Sequence, residues 1–223
     1  INLKGIASHV GSQIFNKELI FENLNLLIEI ANNLIRQGHA LSYIDLGGGL
    51  GISYQEEKEL KPRRVLEEVI SKLEPLNLNL LLEPGRSISG NTGVLLSKVE
   101  YLKKTSDLNF AVIDSGMNDF LRPSLYQAWH NISVVETNNQ KELSYEVVGP
   151  VCESGDTFGE DRILSLNEDS ILAIHDAGAY GHVMSSNYNS RLRPPELLVE
   201  GQEIKVIRRR ETFDDLLRQE RDV

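Results

Sequence analysis

Apolar side chains recur every three to four positions at Leu24, Leu27, Ile28, Ala31, Leu34 and Ile35, which predicts one buried helix face ended by Gly38. A second such face, Val65, Leu66, Val69, Ile70 and Leu73, follows Pro62, a residue suited to a first helical turn. Short apolar runs alternate with these helices: NLKGIA from Asn2, YIDL from Tyr43 and LNLLLE from Leu78. The order strand, helix, strand, helix, strand predicts parallel strands covered by helices. Three parallel strands cannot close a barrel, so this half is expected to be incomplete alone.

From Val94 the pattern changes to strands and turns: VLLSKVEYLKK, NFAVID, ISVVE, LSYEVV, SILAIH and IKVIRR. Asn138 to Gln140 and Glu200 to Gln202 read as connecting turns. The fold class expected is therefore α/β for residues 1–93, followed by an all-β sandwich or small barrel over residues 94–223. Near the end, Thr212 and Asp215 have the spacing of a helix N-cap and its third residue. Arg208 to Arg210 read as a solvated strand end.

Composition narrows the function classes. Forty per cent of residues are hydrophobic and 25% charged, enough for a packed core. The 33 acidic residues against 23 basic ones give a net charge of -10, which argues against nonspecific binding of nucleic acid and leaves small polar metabolites as the expected ligands. No apolar run approaches the roughly 20 residues of a membrane span, and the first residues lack the zones of a signal peptide, so a cytoplasmic setting is expected. The chain starts at Ile1 without methionine, as a piece of a longer polypeptide would.

Chemistry collects where the first three strands finish. Ser8-His9-Val10-Gly11-Ser12-Gln13 follows the first, Gly47-Gly48-Gly49-Leu50-Gly51 the second, and Glu83-Pro84-Gly85-Arg86 the third. Ligands bind at the carboxyl ends of parallel strands, so three decorated ends point to one shared site. The glycines suit either a phosphate cradle or plain tight turns. Glu83 fits either a salt bridge with Arg86 or a cationic ligand group, and His9 either a planar ligand or a structural hydrogen bond. His39, His130, His175 and His182 show no metal-ligand spacing, and no metal is expected.

In the second half, Arg122 and Tyr126 are spaced to grip a carboxylate, and Tyr180 of DAGAYG could donate to a phosphate. The single cysteine, Cys152, stands beside Glu153 after a Gly-Pro turn; most lone cysteines are small buried hydrophobes, and a functional thiol needs an exposed, tuned setting. The segment MSSNYNSRLRPPE yields no mechanism from sequence.

Seven ordered stretches, SHVGSQ, DLGGGLGISY, LEPGRSISGNTG, IDSGMNDFLRPSLY, VVGPVCESGD, DAGAYGHVMSSNYNSRLRPPE and RRRET, span nearly the whole chain and together resemble the fold-type III pyridoxal-phosphate decarboxylases. Within that family the likeness is to the branch that converts meso-2,6-diaminopimelate to L-lysine and carbon dioxide. Branches acting on arginine, ornithine or carboxynorspermidine, and a non-catalytic fragment, are the alternatives.

The resemblance implies the last strands of a (β/α)8 barrel followed by a β domain, pyridoxal 5'-phosphate as cofactor, and a homodimer with shared active sites. It places His9 against the cofactor ring. Ser12, Gly47, Gly48, Gly49, Gly85, Arg86 and Tyr180 would surround the phosphate, with Glu83 at the pyridine nitrogen. Arg86, Arg122, Tyr126, Glu153 and Tyr180 would hold the substrate. Cys152 would be the proton donor, its thiol kept neutral by Glu153 and Asp156. The family anchors its cofactor on a lysine of an early barrel strand; Lys4 does not match it, so the chain is expected to be the C-terminal part of such an enzyme.

Overall fold

Asn16 opens the first long helix of the computed structural model, which describes residues 1–220: its side chain accepts from the backbone N–H of Glu18, satisfying one of the orphan donors of the first turn. The helix, α1 (Lys17–Arg36), buries Leu24, Leu27 and Ala31, and ends before Gly38, whose φ of +93° favours a residue without a Cβ. Ile35, at the edge of the predicted stripe, is exposed. Helix α2 (Pro62–Leu73) starts on its proline and buries Val65, Val69 and Leu73.

Both helices belong to the first of two compact units, residues 1–92 and 93–223. Strands β1 (Gly5–Ala7), β2 (Tyr43–Asp45) and β3 (Asn79–Leu81) form a parallel sheet in that order, with Ile6, Ile44 and Leu80 in register. Ile44 and Leu46 pack with the buried faces of both helices in one cluster. Full burial of a side chain such as Leu24 contributes about 1.5–3 kcal/mol, so this cluster holds the strands under their helices. A single turn, α3 (Arg86–Ser89), follows the third strand end.

The second unit is built on a six-stranded sheet among the described residues. Its strands are β4 (Leu95–Lys104), β5 (Asn109–Ile113), β6 (Ile132–Val134), β7 (Leu143–Val148), β8 (Thr157–Leu164) and β9 (Ile171–Ile174), in the order β6-β9-β4-β5-β7-β8. All neighbours are antiparallel except β5 and β7, whose parallel pairing needs the long connection that carries α4 (Arg122–Tyr126). Val99, Ile113, Phe120, Tyr145, Phe158, Leu172 and Ile174 fill its core. A hairpin of β10 (Glu196–Glu200) and β11 (Glu203–Arg208) turns through Gly201 at φ +64°. The last turn, α5 (Phe213–Leu216), carries the expected capping box between Thr212 and Asp215.

Two strands, β8 and β10, do not stand out in the hydrophobic pattern. In β8, Gly159, Glu160, Asp161 and Arg162 interrupt the alternation, because the strand lies at the sheet edge and turns these residues outward or half outward. Prolines at 194 and 195 and an exposed face conceal β10. No described helix is long and apolar enough to cross a membrane.

Candidate functional site

Backbone hydrogen bonds continue the parallel sheet beyond its strands. Ser8 donates to Asp45 at 3.0 Å, Leu46 to Leu81 at 3.1 Å, and Glu83 to Gly47 at 2.7 Å, so the three decorated ends lie side by side. The glycines make this approach possible. A Cβ on Gly48 would come within 2.1 Å of the Glu83 carbonyl oxygen, and one on Gly49 within 2.1 Å of the Gly11 carbonyl oxygen. Gly47 and Gly49 also have φ values of +68° and +97°.

His9 meets this loop directly: its Nδ1 accepts from the Gly48 N–H at 3.2 Å, which leaves the ring proton of the neutral imidazole on Nε2. Arg86 donates to the Tyr54 hydroxyl at 3.0 Å and to the Ser12 hydroxyl at 3.1 Å, so those guanidinium nitrogens engage neutral oxygens rather than the exposed Glu83. A Cβ added at Gly85 meets nothing within 4 Å, leaving open space beside Arg86. Of the residues singled out in this unit, His9, Ser12, Gly47, Gly48, Gly49, Glu83, Gly85 and Arg86 all lie at these strand ends.

In the second unit, Arg122 is buried while Tyr126, one turn on, is 60% exposed. Arg122 donates through Nε to Nε2 of His130 at 3.2 Å, and its guanidinium lies 5.8 Å from the centre of the Tyr180 ring. Tyr180 itself has a φ of +62°, a strained conformation for an aromatic residue and one that clusters at functional sites.

Cys152 is exposed, unlike most lone cysteines. Its loop is held from below by Asp156, which accepts from Met117 N–H at 2.6 Å and Val151 N–H at 2.7 Å. Burial pushes the Asp156 carboxyl above its ordinary range, and the two backbone donors oppose that shift. A Cβ on Gly149 would fall 2.2 Å from Asp156 Oδ2, so this carboxylate needs the glycine. Both Asp156 oxygens thus serve the backbone. Glu153 is the acidic neighbour on the solvent side, and its Oε2 accepts from the Tyr188 hydroxyl at 3.3 Å.

Several participants had no role in the sequence reading. Tyr54 holds Arg86, and Gln13 clamps both polar groups of the Ile52 backbone at 3.0 Å. Arg191 bonds Asn118 at 2.8 Å and pairs with Asp119 at 3.6 Å. All of them lie inside the seven ordered stretches that carry the family resemblance, which is the signal the sequence offers.

Comparison with known proteins decides the family. Residues 10–178 match the family model described as pyridoxal-dependent decarboxylase, C-terminal sheet domain. The chain belongs to the pyridoxal-dependent decarboxylases. Among curated members, it is 43% identical over 212 residues to diaminopimelate decarboxylase of Pseudomonas aeruginosa, covering 95% of this chain and 51% of that protein. It is 44% identical over 218 residues to the Haemophilus influenzae enzyme of the same name, covering 97% and 52%. The crystal structure of Helicobacter pylori diaminopimelate decarboxylase complexed with L-lysine superposes with a TM-score of 0.92 at 43% identity, over 97% of this chain and 54% of that one. The chain spans about half the length of the curated relatives it matches. As in this decarboxylase family, the fold joins an α/β part to a C-terminal sheet domain.

The donor set suits the cofactor named in the family description. Pyridoxal phosphate presents a phosphate and a ring nitrogen that is cationic when protonated. Arg86, the Ser12 hydroxyl and the open space at Gly85 match the first, and the exposed carboxylate of Glu83 the second.

Proposed function

We propose that the complete polypeptide carrying this chain decarboxylates meso-2,6-diaminopimelate to L-lysine and carbon dioxide, using pyridoxal phosphate. The observation that carries this reading is the Cys152–Glu153 pair, displayed on an exposed loop whose backbone is fixed by Asp156. Its support in sequence is 43–44% identity to curated enzymes of that activity. In this reading residues 1–93 are the C-terminal portion of a cofactor-binding (β/α)8 barrel and residues 94–223 the C-terminal β domain.

When bound, pyridoxal phosphate supplies an electron sink for the pair released as the carbon–carboxyl bond breaks. Glu83 would hold the protonated pyridine nitrogen, His9 would lie against the ring, and Ser12, the glycine-loop amides, Gly85, Arg86 and Tyr180 would hold the phosphate. Arg122 and Tyr126 would grip the distal carboxylate of the substrate and Glu153 would accept from the distal ammonium, with Arg86 and Tyr180 as further substrate contacts. A substrate with a second amino-acid head needs both grips, whereas a simple diamine precursor needs one. After carbon dioxide has left, the Cys152 thiol gives its proton to the carbon that bore it, and solvent restores the thiol.

We also infer a homodimer whose sites are shared between two chains, and a cytoplasmic setting, in keeping with the unpaired cysteine.

The deciding experiment is Cys152→Ala in the complete protein, assayed for lysine with cofactor content measured by absorbance. Loss of about a hundredfold or more in turnover, with cofactor retained, is expected for a general acid. Undiminished lysine formation would remove Cys152 from the chemistry, and no lysine formation by the unaltered protein would remove the function itself.

A further inference from the structure

The segment from Met184 to Glu196, silent in sequence, is tied to both loops that carry the second unit's candidate chemistry. Ser186 N–H donates to the Asn118 carbonyl at 2.8 Å, and Arg191 reaches Asn118 Oδ1 at 2.8 Å and the Asp114 carbonyl at 2.5 Å. The loop around Asn118 is in turn joined to the cysteine loop, because Asp156 binds Met117 and Val151 together. Within the segment, Asn187 Nδ2 donates to the Arg191 carbonyl at 2.9 Å and to Glu211 at 2.6 Å, closing a turn in which Asn189 and Ser190 both have positive φ. This turn presents Tyr188, whose hydroxyl donates to Glu153 Oε2 at 3.3 Å.

We infer that Tyr188 is a positioning residue for substrate selection: it fixes the Glu153 carboxylate beside Cys152 through Oε2 and leaves Oε1 to accept from the α-ammonium of an amino-acid head. The inference rests on the reading of Glu153 as the acceptor of that ammonium. A glutamate on an exposed loop has three free torsions, and ordering it costs up to ~2 kcal/mol of side-chain entropy on binding unless a neighbour orders it beforehand. Tyr188 supplies that order from a turn that is itself cross-linked to the loop. The carboxylate pushes the phenol above its ordinary range, through the hydrogen bond first and its charge second, which keeps the hydroxyl a donor. A phenylalanine would keep the ring and lose the bond.

The test uses the complete, cofactor-loaded protein and two ligands: L-lysine, and 6-aminohexanoate, which has the same length and carboxylate but no α-ammonium. Binding is read by calorimetry, and steady-state kinetics are run with meso-diaminopimelate. Tyr188→Phe is expected to weaken L-lysine and raise KM about three- to tenfold, with kcat changed much less and 6-aminohexanoate binding unchanged. Glu153→Gln should weaken L-lysine further, and adding Tyr188→Phe to it should cost nothing more, because the two act through one carboxylate. If Glu153→Gln leaves L-lysine binding intact, the ammonium reading of Glu153 fails and this inference falls with it. If Glu153→Gln weakens L-lysine while Tyr188→Phe does not, or if the two losses multiply independently, the positioning role is overturned and the reading of Glu153 stands. Equal loss of both ligands in Tyr188→Phe would mark a structural role and also overturn it.

Discussion

Arg122 and His130 form a buried donor–acceptor pair whose direction is fixed by a third group. His130 Nδ1 lies 2.9 Å from the His175 carbonyl, an oxygen that only accepts, so Nδ1 carries the proton and Nε2 receives the Arg122 Nε–H at 3.2 Å. Phe120 packs edge-on against the imidazole at 4.7 Å. His130→Ala removes the acceptor of a buried cation and opens a cavity, and is expected to cost about 2–4 kcal/mol. A lowered midpoint in urea denaturation of the complete protein checks this; a shift smaller than the error of extrapolation would show the pair to be dispensable.

The close approach of the strand ends gives a paired prediction at two glycines. Gly48→Ala drives a Cβ into the Glu83 carbonyl and is expected to lower stability by about 1–3 kcal/mol. Gly85→Ala meets open space, so its effect on stability should stay within about 0.5 kcal/mol. If that space holds the cofactor phosphate, Gly85→Ala will nonetheless lower cofactor retention, measured by dialysis and absorbance. An unchanged cofactor content would move the phosphate elsewhere.

Asp156 gives a third. Both carboxylate oxygens accept from backbone amides, and an asparagine can offer an acceptor to one of them while its NH2 confronts the other. Asp156→Asn should therefore destabilise the second unit by about 1–3 kcal/mol and loosen the cysteine loop. Faster alkylation of Cys152 by iodoacetamide, read by peptide mass, reports the loosening. Wild-type alkylation rates in the variant would mean that the loop is held by other contacts.

The α/β half was legible in sequence because each helix buries one stripe: of the expected stripe residues, Leu24, Leu27, Ala31, Val65, Val69 and Leu73 are buried, while Ile35 and Ile70 at the stripe edges are exposed. The strand-end convergence of His9, Gly47 to Gly49 and Glu83 was legible for the same reason: parallel topology places consecutive ends together. What stayed hidden depends on partners distant in the chain. Asn118 and Arg191 are 73 positions apart, and Arg86 and Tyr54 are 32 apart, so no local pattern announces either pair. Tyr188 is hidden because its meaning depends on a single hydrogen bond to Glu153. The inward turn of Asp156 was missed since its neighbour Glu153 looks equivalent in sequence, and burial alone separates them.

A homodimer with shared sites predicts complementation. Glu83→Ala and Cys152→Ala lie in different units of the chain, and each is expected to lower lysine formation by about a hundredfold or more as a homodimer. If each site takes its cofactor residues from one chain and its thiol from the other, co-refolded mixtures regain one intact site in every mixed dimer, about a quarter of wild-type activity for random pairing. Failure to recover activity, with mixed dimers present by mass, would place both residues in a site built by one chain.

The pH response of the C-terminal turn follows from Asp215. Arg209 donates to both of its oxygens at 2.6 Å, and the Thr212 N–H and hydroxyl each reach it at 2.8 Å. The guanidinium first, and the Thr212 donors after it, hold this carboxyl far below the ordinary aspartate range. A depressed folded-state value means that the contribution is fully present above the unfolded value of about 3.9 and is lost progressively as pH falls from there through the lower folded value, while the folded-state carboxyl stays ionised over that interval. The cap over α5 should therefore persist at pH 3, with the Asp215 carboxyl resonance still that of the ionised form. Arg209→Gln should bring its titration back toward the ordinary range, and the Thr212–Asp215 cap should then open at higher pH. A wild-type Asp215 that titrates near pH 4 would mean that the bidentate pair does not persist in solution, and exposed ion pairs of this kind are the ones that salt and side-chain entropy most readily dissolve.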